Sequence, residues 1–394
     1  MNQDSSEESN TGRLRRWLEM LLTRGGSDLF LVAGLPPSIR VAGKIQQLEE
    51  GPLDGDDIEA AVLPALSAHA AGRYRSGASS VDTSLQLRPL GRFRLNLHRE
   101  RRRPAAAIRA LPPRPPRLSE LGFLSSIEVL TRLPHGLVLI GGPTGSGKTT
   151  TLAALVEEIN HREAKHIITI EDPIEYEHAH HKSIVEQVEI GVDAPDFPTA
   201  LRAALRQAPD VIVVGEMRDP ETMRIALAAG ETGHLVFSTL HTGDVASTVS
   251  RVADSFPPER QSTIRQELSM ALAAVMTQTL LPGVRPGRVP AAELLLIGYG
   301  ARQHIRKNAL QHLHQEITIT RPKGSFTFEE SLAALVQAGL LEPDEARRRT
   351  IHTDELEILL HGGAAAPLRL NKILQDFVIR LCPTKRSNGR TLED

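Results

Sequence analysis

Four compact apolar runs stand out along the chain: GLVLIGG (136–142), HIITIE (166–171), VIVVGE (211–216) and LVFSTL (235–240). Each is near-continuous rather than alternating, the pattern of strands covered on both faces. Helical patterns lie between them; in the first, Leu152, Leu155, Val156 and Ile159 recur on one stripe. Strand and helix in alternation predict an α/β fold with a mainly parallel sheet and right-handed crossovers. Upstream, from Arg13 to about Leu111, shorter runs such as LFLVAG (29–34), SIRVAGKI (38–45) and GRFRLNLH (91–98) alternate with turn signals, with one helical stretch near 56–72. That texture predicts a small α+β domain. The segment LPPRPPR (111–117) holds four prolines in seven residues and reads as a semi-rigid linker. From about 258 to 360 the pattern is mostly helical, clearest in SFTFEESLAALVQAGLL (325–341). The expected order is a disordered polar tail (1–12), an α+β domain (13–110), a Pro-rich linker (111–118), an α/β core (119–295), a helical region (296–361) and a flexible tail (362–394).

Length and composition narrow the class. The 394 residues exceed one ordinary domain, and 40% hydrophobic with 24% charged residues is a globular mix. Lys+Arg number 46 against 48 Asp+Glu, so no overall attraction to nucleic acid or an anionic membrane is expected. The single cysteine, Cys382, makes neither an internal disulfide nor a four-thiolate zinc site and fits a reducing compartment. The first ten residues carry Asp4, Glu7 and Glu8 and no apolar stretch, unlike a secretory signal. No apolar run approaches the ~18 residues of a membrane span. A cytoplasmic protein is the expectation.

The strongest chemical signal is GPTGSGKT (142–149), which fits G-x-x-x-x-G-K-[ST] with a strand before it and an amphipathic helix after it. Gly142, Gly145 and Gly147 let the backbone curl so that successive N–H groups, with Pro143, Thr144 and Ser146 between, wrap a phosphate. The helix beginning at Lys148, Thr149 and Thr150 adds its positive N-terminal end. Lys148 suits the β/γ-phosphates and the Thr149 hydroxyl suits Mg²⁺, so ATP and Mg²⁺ are the expected ligands.

Hydrolysis needs carboxylates at the ends of neighbouring strands. Strand HIITI runs into Glu171, Asp172 and Glu175, and strand VIVV runs into Gly215 and Glu216. An Asp usually ends the second of these strands; here glycine lets the backbone pass close to the loop while the longer Glu216 reaches the metal. His234 and His241 bracket the fourth strand and can donate to phosphate or to a carboxylate. His178, His180 and His181 lack a metal-ligand pattern and read as a solvated loop.

The run LRQAPDVIVVGEMRDPET (205–222) resembles the signature of the secretion and type IV pilus motor ATPases. The phosphate loop, the acidic box IEDPIEY (170–176), the strand ending at Glu216 and the histidine box (231–242) follow in that family's order. GGSDLFLVAGLPPSIRVAGKI (25–45) is similar to the first domain of the twitching-motility retraction branch, the PilT/PilU family. The resemblance spans about 13–355. It implies a PAS-like N-terminal domain, a RecA-like P-loop ATPase core followed by helices, and a cytoplasmic homohexameric ring. Such a ring docks at the inner membrane on a platform protein, works beside a paralogous retraction ATPase, and hydrolyses ATP to drive pilus retraction. It is peripheral to the membrane and makes no direct nucleic-acid contact. The resemblance also implies that Glu175 positions the attacking water, that Glu216 stands on the Mg²⁺ side, and that two arginines fifteen residues apart face the nucleotide. Arg94 and Arg109 have that spacing, within a run of ten arginines and one acid, Glu100, between Arg88 and Arg117. Phe93, Leu95 and Leu97 alternate with Arg92, Arg94 and Asn96, so one face of that strand is expected to be buried and the other polar.

Departures from the family pattern are informative. The absence of a four-cysteine motif favours the retraction branch over assembly and secretion. GARQHIRKNAL (300–310) matches the principal motor's helical motif poorly, and TIHTDELEILL (350–360) leans towards the PilU-like companion. Ser238 stands where glycine is usual, and Gly230 where alanine is usual. Three other readings remain open: a related hexameric ATPase for pilus assembly, protein secretion or DNA transport; a RecA-like enzyme on nucleic acid, for which 13 aromatic residues leave little stacking surface; and a non-catalytic scaffold.

Overall fold

The structure, a computed structural model, describes residues 4–123 and 127–362. It divides into two compact units, Met1–Pro115 with His166–Pro209, and Pro116–Lys165 with Asp210–Asp394. Cys382 and the expected flexible tail from residue 363 lie outside the described residues.

In the first unit, β1 (Asp28–Val32), β2 (Ser38–Val41), β3 (Lys44–Gln47), β4 (Ser80–Leu87), β5 (Gly91–Glu100) and β6 (Arg103–Ala110) form an antiparallel sheet in the order β3-β2-β1-β6-β5-β4. The alternation expected for β5 is present: Phe93, Leu95 and Leu97 are buried. They share one apolar core with Leu29, Leu31 and Ile108 of the sheet and with Leu14, Trp17, Leu18, Leu21, Ile58 and Val62 of two helices. Those helices are Asp4–Thr23 and Gly55–Val62; a third is Ala68–Arg75. The polar start of the chain, expected to be a disordered tail, is thus helical from Asp4. The Leu14, Trp17, Leu18 and Leu21 stripe has helical spacing and a core to enter, and polar residues extend the helix from that anchored end. The same unit holds β7 (His166–Glu171) and β8 (Ile184–Glu189), paired in parallel, and the helix Phe197–Ala204.

In the second unit, β9 (Gly136–Gly141), β10 (Val211–Val214), β11 (Leu235–Leu240), β12 (Leu272–Pro282) and β13 (Arg288–Leu296) run in the order β13-β12-β9-β11-β10. β9 is buried along its whole length, with β11 and β12 parallel on its two edges. β12 and β13 are a correction to the expected helical texture beyond residue 258. LAAVMTQTLLP has residues that suit a helix, yet it pairs with β9 on one side and antiparallel with β13 on the other, so sheet pairing overrides local propensity. Helices follow, including Tyr299–Arg306, Phe328–Gln337 and Thr353–Leu360. Gly230 has a packing reason: a Cβ there would lie 3.0 Å from the Leu137 backbone nitrogen, so glycine lets the helix Pro220–Glu231 seat tightly at the start of β9. No helix among the described residues is long and apolar enough to cross a membrane.

Trp17 is fully buried and its Nε1–H donates to Glu50 at 2.9 Å. Trp17→Ala should cost about 3–5 kcal/mol, read as faster amide hydrogen exchange in β1, β5 and β6. Unchanged exchange there would mean the first helix is not part of this core.

Candidate active site

β9 ends at Gly141 and the chain then turns through 142–147 into the helix Lys148–Arg162. Gly142, Gly145 and Gly147 have φ of 153°, 78° and 92°, in the region where L side chains are strained. Gly142 is the most constrained: an added Cβ would lie 2.4 Å from Ser146 Oγ and 2.5 Å from the Gln278 carbonyl oxygen. The loop is braced from β12, where Gln278 Nε2 donates to the Ser146 carbonyl at 2.8 Å and its Oε1 accepts from Thr151 Oγ1 at 2.8 Å. Lys148 folds over the loop, its Nζ donating to the carbonyls of Gly142 and Pro143 at 2.9 and 3.0 Å. Burial lowers the Lys148 pKa, opposed by the charge of Glu216. A buried ammonium whose hydrogen bonds go to neutral carbonyls is poised to accept an anion.

Glu216 follows β10, and His241 follows β11, the adjacent parallel strand. The His241 ring brings the site together: its Nε2 lies 3.1 Å from Glu216 Oε1, and its Nδ1 lies 3.5 Å from Thr144 Oγ1 of the loop. Arg218 pairs with the other Glu216 oxygen at 2.9 Å. Burial pushes the Glu216 pKa up, but Arg218 and His241 outweigh it and hold the carboxyl below its usual range. Ser238, the departure noted in the sequence, donates to the Val214 carbonyl at 2.8 Å, and Thr239 donates to the Gly215 carbonyl at 2.7 Å. These two hydroxyls clip β11 to the turn that carries Glu216.

These residues fit a nucleotide and a divalent cation: a cradle that a Cβ would fill, a lysine above it, the Thr149 hydroxyl at the helix N-terminus and an ionised carboxylate. His234 is not brought to this cluster. Leu235 is level with Gly136 and Leu240 with Gly141, so His234 stands at the end of β11 away from the loop. Its Nδ1 lies 3.1 Å from the Ala229 carbonyl, the position of a turn residue closing a helix.

The remaining site residues lie in the first unit. Glu175 is half-buried in the loop after β7. Above it in sequence, Glu171 is pushed towards a higher pKa by burial, with hydrogen bonds from Thr169 and Gln187 opposing. His178, His180 and His181 occupy the same loop, where the Val185 N–H donates to His180 Nδ1 at 3.2 Å. Arg94 and Arg109 are direct cross-strand partners on β5 and β6. The same rung continues to Asp28 and Arg40 on one side and to Ser84 on the other, so these side chains share the polar face. Arg109 is 67% exposed yet anchored, its Nε donating to Asp28 at 2.8 Å. Burial of Asp28 raises its pKa, but Arg109, Ser27 and Arg40 together bring it below the ordinary value. Arg94 is 42% exposed with Asp82 3.9 Å away. Arg102 sits at φ 67° at the exposed hairpin tip, off this face. Sequence reasoning missed Asp28, Arg218 and Gln278. Only Arg218, two residues beyond Glu216, carried a local signal.

Relatives match this chain along most of their length. The family described as type II/IV secretion system protein matches residues 102–354. The type IV pilus retractation ATPase PilT of Pseudomonas aeruginosa is 40% identical over 326 residues, 83% of this chain and 94% of the relative. The chain belongs to the type II/IV secretion and pilus motor family, in its PilT/PilU branch. The type IV pilus ATPase PilU of the same organism is 34% identical over 88% of this chain and 91% of its own. A crystal structure of the pilus retraction motor PilT with bound ADP superposes with a TM-score of 0.79 at 41% identity, covering 86% of this chain and 97% of that one. Family membership thus agrees with the α/β P-loop core, the preceding α+β domain and the trailing helices.

Gly142→Ala should weaken nucleotide binding at least tenfold by titration while leaving the fold intact, because the added methyl enters the cradle. Wild-type affinity would remove the loop from the site. Arg218→Ala removes the foremost influence holding the Glu216 pKa down. The acid limb of nucleotide turnover should therefore move to higher pH, and an unmoved limb would separate Glu216 from the chemistry.

Proposed function

We propose that this protein is an Mg²⁺-dependent ATPase that forms a homohexameric ring and powers type IV pilus retraction at the cytoplasmic face of the inner membrane. The observation that carries this reading is the cluster of Lys148, Thr144, His241 and Glu216 at the ends of β9, β10 and β11, in a chain whose relatives are pilus retraction ATPases. Lys148 exchanges its two loop carbonyls for the β/γ-phosphates, and the backbone N–H groups of 142–149 hold the rest. Thr149 and Glu216 hold Mg²⁺, which when bound supplies positive charge against the phosphates. Glu216, kept ionised by Arg218, lets His241 report on the occupant of the loop through Thr144. Glu175 orients the attacking water and accepts its proton. Arg94 and Arg109 offer planar guanidiniums to charge developing on the γ-phosphate, in the same or a neighbouring subunit.

The domain reading that goes with this function is a PAS-like domain (13–110), a RecA-like core (119–295) and a helical region (296–361). Work passes to an inner-membrane platform protein, with a paralogous retraction ATPase as a second partner. The pattern at 350–360 supports the companion, PilU-like role.

Lys148→Ala should abolish ATP turnover in a folded protein. Glu175→Gln and Glu216→Gln should bind ATP and hydrolyse it about 10²–10⁴-fold more slowly. A deletion strain should lose surface motility and accumulate fibres, and normal motility with normal fibre counts would exclude retraction.

Arg94→Ala and Arg109→Ala should lower hydrolysis while sparing assembly and most ATP binding, with Arg102→Ala as the silent control. Light scattering and turnover decide it: equal damage from all three would make the run a general electrostatic patch.

A further inference from the structure

Glu189, the last residue of β8, is 3% exposed and lies in the first unit with the N-terminal sheet. Its carboxylate takes donors from three directions. Ser84 of β4 donates to it, with its Oγ 2.7 and 2.9 Å from the two oxygens. Arg92 of β5 pairs with it through one terminal nitrogen. The backbone N–H of Ile174, the residue before Glu175, donates to it at 3.2 Å. The other terminal nitrogen of Arg92 lies 3.0 Å from Glu177, two residues after Glu175. One guanidinium therefore spans Glu177, two residues after Glu175, and Glu189, whose carboxylate holds the Ile174 N–H just before Glu175; it also donates to Ser84 at 2.8 Å. Gln187, two residues before Glu189 on β8, holds the same loop: its Nε2 donates to the Tyr176 carbonyl at 2.8 Å and its Oε1 accepts from the His178 N–H at 2.8 Å. The backbone is thus fixed at 174, 176 and 178, with a side-chain anchor at 177.

We propose that Arg92 and Glu189 are positioning residues that hold the acidic-box loop in the conformation that aims Glu175, and so couple hydrolysis to the seating of the N-terminal sheet. The inference rests on the reading of Glu175 as the water-orienting carboxylate. Its physical basis is a buried charge that has no cheap alternative. Without Arg92, Glu189 is a buried carboxylate with only neutral donors, so the loop must open to hydrate it, while the exposed Glu177 loses the contact that ties it to β5. A displacement of about 1 Å in a catalytic group costs on the order of 10²-fold in rate. Arg92 shares its polar face with Arg94 and Arg109, two residues along β5 and on the neighbouring strand. The sheet that presents those arginines is therefore the sheet that holds the loop.

The test is a double-mutant cycle on the full-length protein, with Arg92→Ala and Glu175→Gln made singly and together. Turnover is the first readout, ATP affinity the second and hydrogen exchange across 172–178 the third. Arg92→Ala should lower kcat about 10–100-fold with ATP affinity within about threefold of wild type, and should speed exchange in that loop. In the Glu175→Gln background the same change should cost less than about threefold, because the residue it positions is gone. Arg92→Lys should fall between, since an ammonium cannot fork to two carboxylates. Ser84→Ala, which keeps the ion pairs, should fold and lose only a fewfold of kcat, and it carries the cycle if Arg92→Ala does not fold. Multiplicative losses in the double variant, or unchanged exchange at 172–178, overturn the proposal while leaving Glu175 in place. Full activity of Glu175→Gln alone instead overturns the water-orienting reading, and the inference falls with it.

Discussion

A strand with no free edge organises the catalytic end of this molecule. β9 is buried from Gly136 to Gly141 and has parallel neighbours on both sides, so the chain leaving it can only turn over the end of the sheet. Parallel strands put their carboxyl ends on the same edge, and that edge is where α/β folds gather ligands. The phosphate loop, Glu216 and His241 meet there because β9, β10 and β11 end there. Their chemistry then follows from proximity: an ammonium over carbonyls, a carboxylate held below its usual pKa beside Arg218, and a histidine touching both loop and carboxylate.

Charged residues in each unit are arranged as mutual supports. Arg218 and His241 hold Glu216 ionised against burial, Asp28 fixes the otherwise exposed Arg109, and Arg92 neutralises Glu189. In each case one member of the pair is buried enough to need its partner, which restricts the geometry of the other. Surface ion pairs contribute little stability, so the value of these pairs lies in orientation. The division into units sharpens the point. The phosphate loop and Glu216 lie in one unit, while Glu175, Arg94 and Arg109 lie in the other.

The four apolar runs became four strands, and the alternation in β5 became a buried and a polar face, because strand burial is written in consecutive residues. The phosphate loop was legible for the same reason: left-handed glycines, a lysine and a following helix all act within eight positions. The departures at Gly230 and Ser238 were visible as oddities, but their reasons, a backbone approach and a cross-strand hydrogen bond, depend on partners far along the chain.

What the sequence determined by itself was local: which segments are apolar, where the backbone must turn left-handed, and which residue types can meet a triphosphate. The tertiary structure alone decided what depends on distant pairing. It made LAAVMTQTLLP a strand by offering it two edges, drew Asp4–Thr23 into a helix by offering its apolar stripe a core, and left His234 at the wrong end of β11 for the loop. It also joined residues 166–209 to the N-terminal sheet, through a guanidinium at Arg92 and carboxylates 85 and 97 positions away. A charge shows in the sequence as a letter, but whether it is buried, and which opposite charge it then requires, is settled only when the chain has closed on itself.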